Sequence, residues 1–290
     1  MTSLAPRAPA STFRSLLHPA LLVAGLVLGL VMASLPARAA DRARIEAFLQ
    51  ITGFDVALDS IAETAESAPA MLGVKPGSFG TEWTRLATQV FDTAVMRDLA
   101  MELLEPTLKD DWLAHASEFY ASDLGQRLVA AENASHIMDD DEKKAEGTRR
   151  IAGMRLRDDP RLPLLEKMNA TIGGEDSSLR ALQEVQFRFL LAASAAGVVE
   201  LRTDADGLRA ALARNADKLR GKLRESALIG AAYTYRDFTD AEIEVYTAAL
   251  ATPEMQKVYE LLNAIQFEIM ANRFEVLAAR MAGLRPGEDI

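Results

Sequence analysis

The sequence contains no cysteine, and this absence excludes several kinds of chemistry. A cysteine nucleophile, a zinc site with cysteine ligands and an iron–sulfur cluster all require thiolate groups. A lipoprotein anchor and disulfide bonds require cysteine as well. The folded chain must therefore be stabilised by its hydrophobic core, which is feasible for a chain of 290 residues.

Signals for β-structure are also scarce. Runs of alternating Val, Ile and Thr joined by tight glycine turns, which are typical of β-hairpins, do not occur. Strong helix formers dominate, and apolar residues recur at helical spacing, as in Ile45, Phe48 and Leu49. The double glycine at 173–174 lies between two helical patterns, where a helix is expected to stop. We therefore predict an all-α protein with about ten helices.

The first 39 residues have the organisation of a secretory signal peptide. Arg7 and Arg14 precede an uncharged apolar run of 14 residues at 20–33, and the tripeptide 37–39 (Ala-Arg-Ala) supplies the small residues that signal peptidase requires. The run is shorter than the roughly 20 residues that span a membrane, and an uncleaved anchor is the alternative. We expect cleavage near Ala39. The absence of cysteine favours a bacterial periplasm over a eukaryotic secretory route.

The charge of the chain is strongly acidic. It carries 32 Lys+Arg against 42 Asp+Glu, for a formal net charge of −10. Cleavage of the signal would remove three arginines and no acid, so the exported protein would be more acidic still. An acidic surface is repelled by nucleic acid and by anionic lipid headgroups, and we expect neither as a partner.

The chain is similar to itself at an offset of 130 residues. Residues 121–128 (ASDLGQRL) align with residues 251–258 (ATPEMQKV), and Asn133-Ala134 aligns with Asn263-Ala264. A chance similarity is the alternative, but matched Ser/Thr, Gln and Arg/Lys positions at a helix start indicate a divergent duplication. We predict two related helical modules, residues 40–157 and residues 158–290, packed into one bundle-like body.

A short motif in the first copy resembles a known signature. Residues 119–126 (FYASDLGQ) are similar to the F-Y-x-S/T-x-x-G-Q/K pattern of a helical domain family of unknown function, found in exported proteins of Gram-negative bacteria. The resemblance implies an all-helical periplasmic protein and no catalytic residues. The second copy departs from the pattern, with Ala249-Leu250 in place of the aromatic pair and Met255 in place of the glycine.

Nine residues of the two copies are candidate motif or groove residues. Asn133 lies seven positions after Gln126, on the same helix face and two turns away, and this spacing recurs in the second copy. The functional interpretation is a polar stripe that lines a groove between the modules. The structural interpretation, which we favour, is a set of amide hydrogen bonds that fix helix register. The full set is Phe119, Tyr120, Ser122, Gly125, Gln126, Asn133, Thr252, Gln256 and Asn263.

Other polar groups are better explained by structural roles than by chemistry. His115 and His136 have no metal-binding spacing. The acidic segments at 139–142 and 204–206 are interpreted as helix starts, and the arginines between 149 and 161 as members of internal ion pairs. We expect no catalytic residue, no cofactor and no metal site.

The leading functional hypothesis is a periplasmic, non-enzymatic protein that uses helix faces to bind or scaffold another envelope protein. One alternative is a carrier of an apolar ligand or lipid in a groove between the modules. A second is a hydrolase that acts through carboxylates.

Overall fold

The computed structural model describes residues 40–65, 68–72, 80–173 and 175–283, and the predicted all-helical fold is confirmed in these residues. No β-strand occurs in them, and the number of helices is close to the number predicted. The predicted signal peptide lies outside the described residues. The helices are α1 (Arg42–Thr52), α2 (Phe54–Thr64), α3 (Ala68–Met71), α4 (Gly80–Val90), α5 (Thr93–Thr107), α6 (Asp110–Tyr120), α7 (Asp123–His136), α8 (Asp140–Leu156), α9 (Arg161–Ile172), α10 (Glu175–Ala195), α11 (Ala205–Ala213), α12 (Ala216–Thr234), α13 (Asp240–Leu250) and α14 (Pro253–Met281).

Side-chain caps determine where many of these helices begin. The carboxylates of Asp139 and Asp204 accept hydrogen bonds of 3.0 and 2.9 Å from the amide three residues further on, which satisfies an otherwise unpaired donor. Both acidic segments are thus helix starts, as expected. Thr239 and Glu242 form the capping box that their spacing indicates. The backbone amide of Thr239 is the main reason that the pKa of Glu242 is lowered to about 2.

The two copies of the sequence similarity have matching local structure. α6 and α13 have 11 residues each and start 130 residues apart, and the starts of α7 and α14 have the same separation. α14 is longer than α7 because Ile269 stands at the position of Asp139, where a cap starts the separate helix α8 in the first copy. The relatedness of the two modules stays a prediction.

Helix contacts follow one pattern on both sides of the predicted boundary, which falls between α8 and α9. α1 packs against α5, α6 and α7, as α9 packs against α12, α13 and α14. α2 packs against α5 and α7, as α10 packs against α12 and α14. Contacts across the boundary are reciprocal, since α5 packs on α14 while α12 packs on α7 and α8. The described helices belong to one compact unit, as expected for a bundle-like body.

The long helix α14 carries the centre of the core. At about 1.5 Å per residue its 29 residues span roughly 43 Å, and it contacts α4, α5 and α6 as well as α9, α10 and α13. Its Phe274 ring makes edge contacts with Phe91 and Phe189, each at a centroid distance of 5.3 Å. One buried side chain therefore joins the helices of both halves.

Proline and glycine disfavour the helix interior, so the sequence suggests helix breaks at Pro106 and Gly147, but both residues lie inside helices. Pro106 is in the last turn of α5, and Gly147 is in the middle of α8. A Cβ atom at Gly147 would lie 2.8 Å from Cγ2 of Ile229 and 3.0 Å from its carbonyl carbon. Close packing of α8 on α12, rather than helix termination, explains this glycine.

The arginines between 149 and 161 form ion pairs within the molecule, as predicted. Arg155 makes two hydrogen bonds of 3.1 and 2.8 Å to Glu225 of α12. Arg161 pairs with Asp240 and donates bonds of 2.6 and 2.8 Å to the carbonyls of Tyr235 and Phe238. These side chains hold α8 and α9 against α12 and α13.

Within the described ranges, none of the helices combines the length and the apolar character that a membrane crossing requires.

The packing of α8 on α12 can be tested with two glycines in helices. We expect Gly147→Ala to lower the free energy of unfolding by about 2 kcal/mol, because the new methyl group overlaps the backbone of α12. Gly221→Ala in α12 is the matched control, since its Cβ has no neighbour within 4 Å and alanine raises helix propensity by roughly 0.5–1 kcal/mol. Urea unfolding followed by circular dichroism measures both. Equal effects of the two substitutions would contradict the close approach.

Candidate functional site

The junction between α6 and α7 is a compact structural motif. The Ser122 hydroxyl accepts a 3.1 Å hydrogen bond from the Gly125 amide and donates one of 2.6 Å to the Phe119 carbonyl. A Cβ at Gly125 would lie 2.7 Å from Cα of Tyr120, so only glycine permits this close approach. Phe119 and Tyr120 close the end of α6 into the core, where Tyr120 is buried.

Each of the two candidate glutamines bonds back to a carbonyl at the end of the preceding helix, at positions that differ by one residue between the copies. The Gln126 side-chain amide donates a hydrogen bond of 3.1 Å to the Ala121 carbonyl at the end of the preceding helix. The Gln256 side-chain amide donates a hydrogen bond of 2.6 Å to the Leu250 carbonyl and one of 2.7 Å to the Thr171 carbonyl of α9. These bonds fit the structural interpretation, in which the amides fix how consecutive helices pack.

Thr252 occupies the expected N-cap position of α14, but its hydroxyl does not accept a bond from the helix. The hydroxyl donates a hydrogen bond of 2.8 Å to the Ala249 carbonyl and lies 2.9 Å from Nε2 of His115 on α6. The hydroxyl is thus used to join α6 to the start of α14. The helix start relies instead on Pro253, whose missing N–H needs no partner.

The two candidate asparagines lie together between α7 and α14. Asn133 lies against Gly53, the left-handed residue (φ 67°) that ends α1, with its Cγ 2.6 Å from where a Cβ would be. Asn263 likewise lies close to Gly173 at the end of α9, where a Cβ atom would be 3.2 Å from Nδ2 of Asn263. Both asparagines line one cavity of about 180 Å³. We call it the α7–α14 cavity, and Tyr120 and Glu132 line it too.

Glu132 is the centre of a hydroxyl network whose residues lie on four helices and at the C-cap of a fifth, α12. Its Oε1 accepts hydrogen bonds of 2.7 Å from the Tyr235 hydroxyl and 3.0 Å from the Tyr246 hydroxyl. The Tyr246 hydroxyl lies 3.1 Å from that of Tyr259, which is also hydrogen-bonded to Tyr120. We call these five residues the Glu132 cluster.

The direction of the hydrogen bonds in this cluster follows from counting protons. An ionised carboxylate only accepts, and each tyrosine has one proton to donate. Since Tyr246 donates to Glu132, Tyr259 must donate to Tyr246, and Tyr120 must donate to Tyr259. All four hydroxyl protons are therefore directed toward one carboxylate.

Burial perturbs every titratable group of the cluster. It raises the pKa of Glu132 above the usual 4.5, while the hydrogen bonds from Tyr235 and Tyr246 act in the opposite direction. Burial also raises the pKa of Tyr246 and Tyr259, and the charge of Glu132 adds to this shift. Glu132 and Tyr259 are only partly covered overall, because both border cavities. Perturbed groups of this kind in a cavity are candidates for function.

Glu132 and Tyr259 also line a second cavity, of about 340 Å³. His136 borders both cavities, and Lys143 borders only the second. The Lys143 ammonium is 2.7 Å from Asp140 and donates a 3.2 Å hydrogen bond to the Ser135 carbonyl. Its charge is therefore already paired.

A groove of about 630 Å³ lies between α10 and α14. Gln256 and Asn263 lie along its α14 side. Because α10 and α14 both belong to the second predicted module, this is not the groove between the modules that the functional interpretation describes, and that interpretation stays a prediction. Val185 and Ala271 form part of an apolar floor and are buried. We call it the α10–α14 groove.

The sequence did not single out Glu132, Tyr235, Tyr246 or Tyr259. These residues come from α7, α12, α13 and α14, and no local spacing connects them. Composition contained the one available signal, because the chain has five tyrosines and four of them belong to the Glu132 cluster.

Comparison with known proteins identifies only part of the chain. A family of uncharacterised proteins conserved in bacteria, described as DUF2059, matches residues 94–145. This segment runs from α5 into α8 and includes the α6–α7 junction and Glu132. The match agrees with a bacterial domain of unknown function, and the specific F-Y-x-S/T-x-x-G-Q/K signature stays a prediction. No curated protein and no solved structure matches the chain significantly.

The raised pKa of Glu132 predicts an unusual pH dependence of stability. The folded protein favours the protonated carboxyl more than the unfolded chain does, so stability is lost as the pH rises from about 4.5 through the raised pKa. Glu132→Gln removes this titration. We expect the wild type to lose free energy of unfolding relative to Glu132→Gln as the pH rises, measured by urea unfolding between about pH 4 and pH 8. Glu244→Gln, at an exposed carboxyl of α13, is the control. Parallel profiles for the wild type and Glu132→Gln would refute the prediction.

Proposed function

We propose that this protein is an exported, non-enzymatic interaction protein of the bacterial cell envelope, and that its α10–α14 groove binds an extended segment of a partner protein. The observation that supports this most is the groove itself. Its volume of about 630 Å³ lies within the range of roughly 300–1,000 Å³ that is typical of ligand sites.

The chemistry of the groove suits a polypeptide. Ala181, Val185 and Phe267 provide apolar surface for side chains, whereas Ser177 and Ser178 provide hydroxyl groups that can pair with a backbone. Charged residues of both signs stand at its edges: Arg180, Glu184, Arg188, Lys257, Glu260 and Glu268. A surface of this mixed character is typical of protein interfaces.

The walls of the groove are held in place by ion pairs. The Arg188 guanidinium of α10 makes two bonds of 2.9 and 2.6 Å to Glu275 and one of 2.8 Å to Glu268, both on α14. Two parallel bonds between Arg and a carboxylate also fix geometry. A groove that exists before binding loses less conformational freedom when a partner binds.

The cavities support an interaction role better than the two alternatives. The α7–α14 cavity is small at about 180 Å³ and contains carboxyl, amide and hydroxyl groups, which is unfavourable for a lipid chain. Glu132 is the one acid among the described residues that line the two cavities beside it. Glycosidase-type hydrolysis requires a pair. Export is supported by the signal-like organisation of residues 1–39.

The groove proposal is tested with a bulky side chain. We expect Ala264→Trp to block the groove and to reduce in-cell crosslinking to an envelope protein by at least about tenfold, which corresponds to 1.4 kcal/mol. Crosslinks are started from a photoreactive residue at Ser177 and identified by mass spectrometry. Ala134→Trp is the matched control, because Ala134 is exposed and holds the equivalent position on α7.

The expected result is one recurring envelope partner that is lost in Ala264→Trp and retained in Ala134→Trp. If both variants keep the partner, the groove is not the binding surface. If the protein fractionates with the cytoplasm, its assignment to the envelope is wrong.

A further inference from the structure

Glu132 is a carboxylate whose burial is only partly compensated inside the protein. Burial is the largest influence on it, and the groups that oppose burial are the neutral hydroxyls of Tyr235 and Tyr246. Both hydroxyls donate to Oε1, so the other oxygen, Oε2, is not needed to satisfy them. The hydrogen bonds that the structure gives to this carboxylate thus come from neutral hydroxyls, and the ammonium of the nearby Lys143 lies 2.7 Å from Asp140.

The α7–α14 cavity next to Glu132 has the groups that recognise an ammonium ion. Amide side chains of Asn133 and Gln266 border it and can provide carbonyl oxygens as acceptors. The rings of Phe48, Phe54, Tyr120 and Tyr259 also line it, and aromatic faces attract cations by about 0.5–2 kcal/mol. A carboxylate, amide oxygens and aromatic rings together favour a cationic nitrogen over an anion or a neutral group.

The size of the cavity limits the ligand. Its volume of about 180 Å³ corresponds to roughly six water molecules at about 30 Å³ each. A short alkylammonium ion fits this space, whereas a large organic cation does not.

We propose that the α7–α14 cavity binds the ammonium group of a small primary amine at Glu132. Asn263 borders both this cavity and the α10–α14 groove, but Glu132 does not line the groove, and the proposed amine site does not depend on the proposed envelope role. The ammonium donates to the Glu132 carboxylate and to amide oxygens, and its alkyl chain lies among the aromatic rings. The four tyrosine protons directed toward Glu132 stabilise the ionised carboxylate that the ligand requires.

Binding should strengthen as the pH rises. The amine stays protonated across the neutral range, while Glu132 becomes ionised only above its raised pKa. His136 of α7 borders the cavity and repels a cation when it is protonated, so it acts in the same direction. Lys143 of α8 borders the second cavity and is paired with Asp140. The tyrosines from α6, α12, α13 and α14 stay neutral, because burial raises their pKa.

The test uses propylammonium chloride and isothermal titration calorimetry with the full chain. We expect saturable binding with a millimolar dissociation constant at neutral pH, weaker binding at acidic pH, and no binding of 1-propanol, which has the same shape without the charge. Glu132→Gln should weaken binding by at least about tenfold. Glu244→Gln is the control for a general loss of negative charge.

A second variant keeps the test valid if Glu132→Gln disturbs folding. Ala57→Leu fills the α7–α14 cavity from α2 without changing Glu132, and it should also abolish binding. Three results would each overturn the proposal: no saturable binding to the wild type, equal binding of the alcohol, or unchanged affinity in both variants. Failure of the crosslinking experiment to find a partner in the groove would not change these calorimetric results, so each proposal can fail without the other.

Discussion

The burial of α14 against both halves of the bundle is the constraint on which the rest of the structure depends. The helix packs on α4, α5 and α6 and equally on α9, α10 and α13. Phe274 lies between Phe91 of the first half and Phe189 of the second. With no cysteine to form crosslinks, this shared apolar surface holds the halves together. It also positions the α10–α14 groove and the α7–α14 cavity, because α14 forms one wall of each.

Features that depend on neighbours in the sequence could be predicted, and those that depend on distant backbone could not. The cap at Thr239 and the helix starts at Asp139 and Asp204 are local, since each side chain bonds to an amide three residues away. Gly147 was expected to end a helix because glycine disfavours helices. Its actual role is set by Ile229, 82 positions further along the chain, and no short pattern contains that information.

The candidate site shows the same division. Repetition in the sequence marked Gln126 and Gln256, and both side chains bond back to the end of the preceding helix, although their acceptors differ by one position. It also marked Asn133 and Asn263, which the fold brings into one cavity. Glu132 has no counterpart in the second copy, where Leu262 stands in its place, so a search for repeated polar positions passes over it. The carboxylate is a feature of one half that acquires its tyrosine neighbours only when both halves pack.

The single direction of the hydroxyl protons around Glu132 has a consequence for how the cluster can change over evolutionary time. Tyr120 is the outermost donor, and replacing it with phenylalanine leaves no other hydroxyl without an acceptor. Replacing Tyr246 would strand the proton of Tyr259 and remove one of the two donors that reach the carboxylate. Relatives that have lost part of this cluster should therefore have lost it from its rim inward, with the hydroxyls that touch the acid disappearing last.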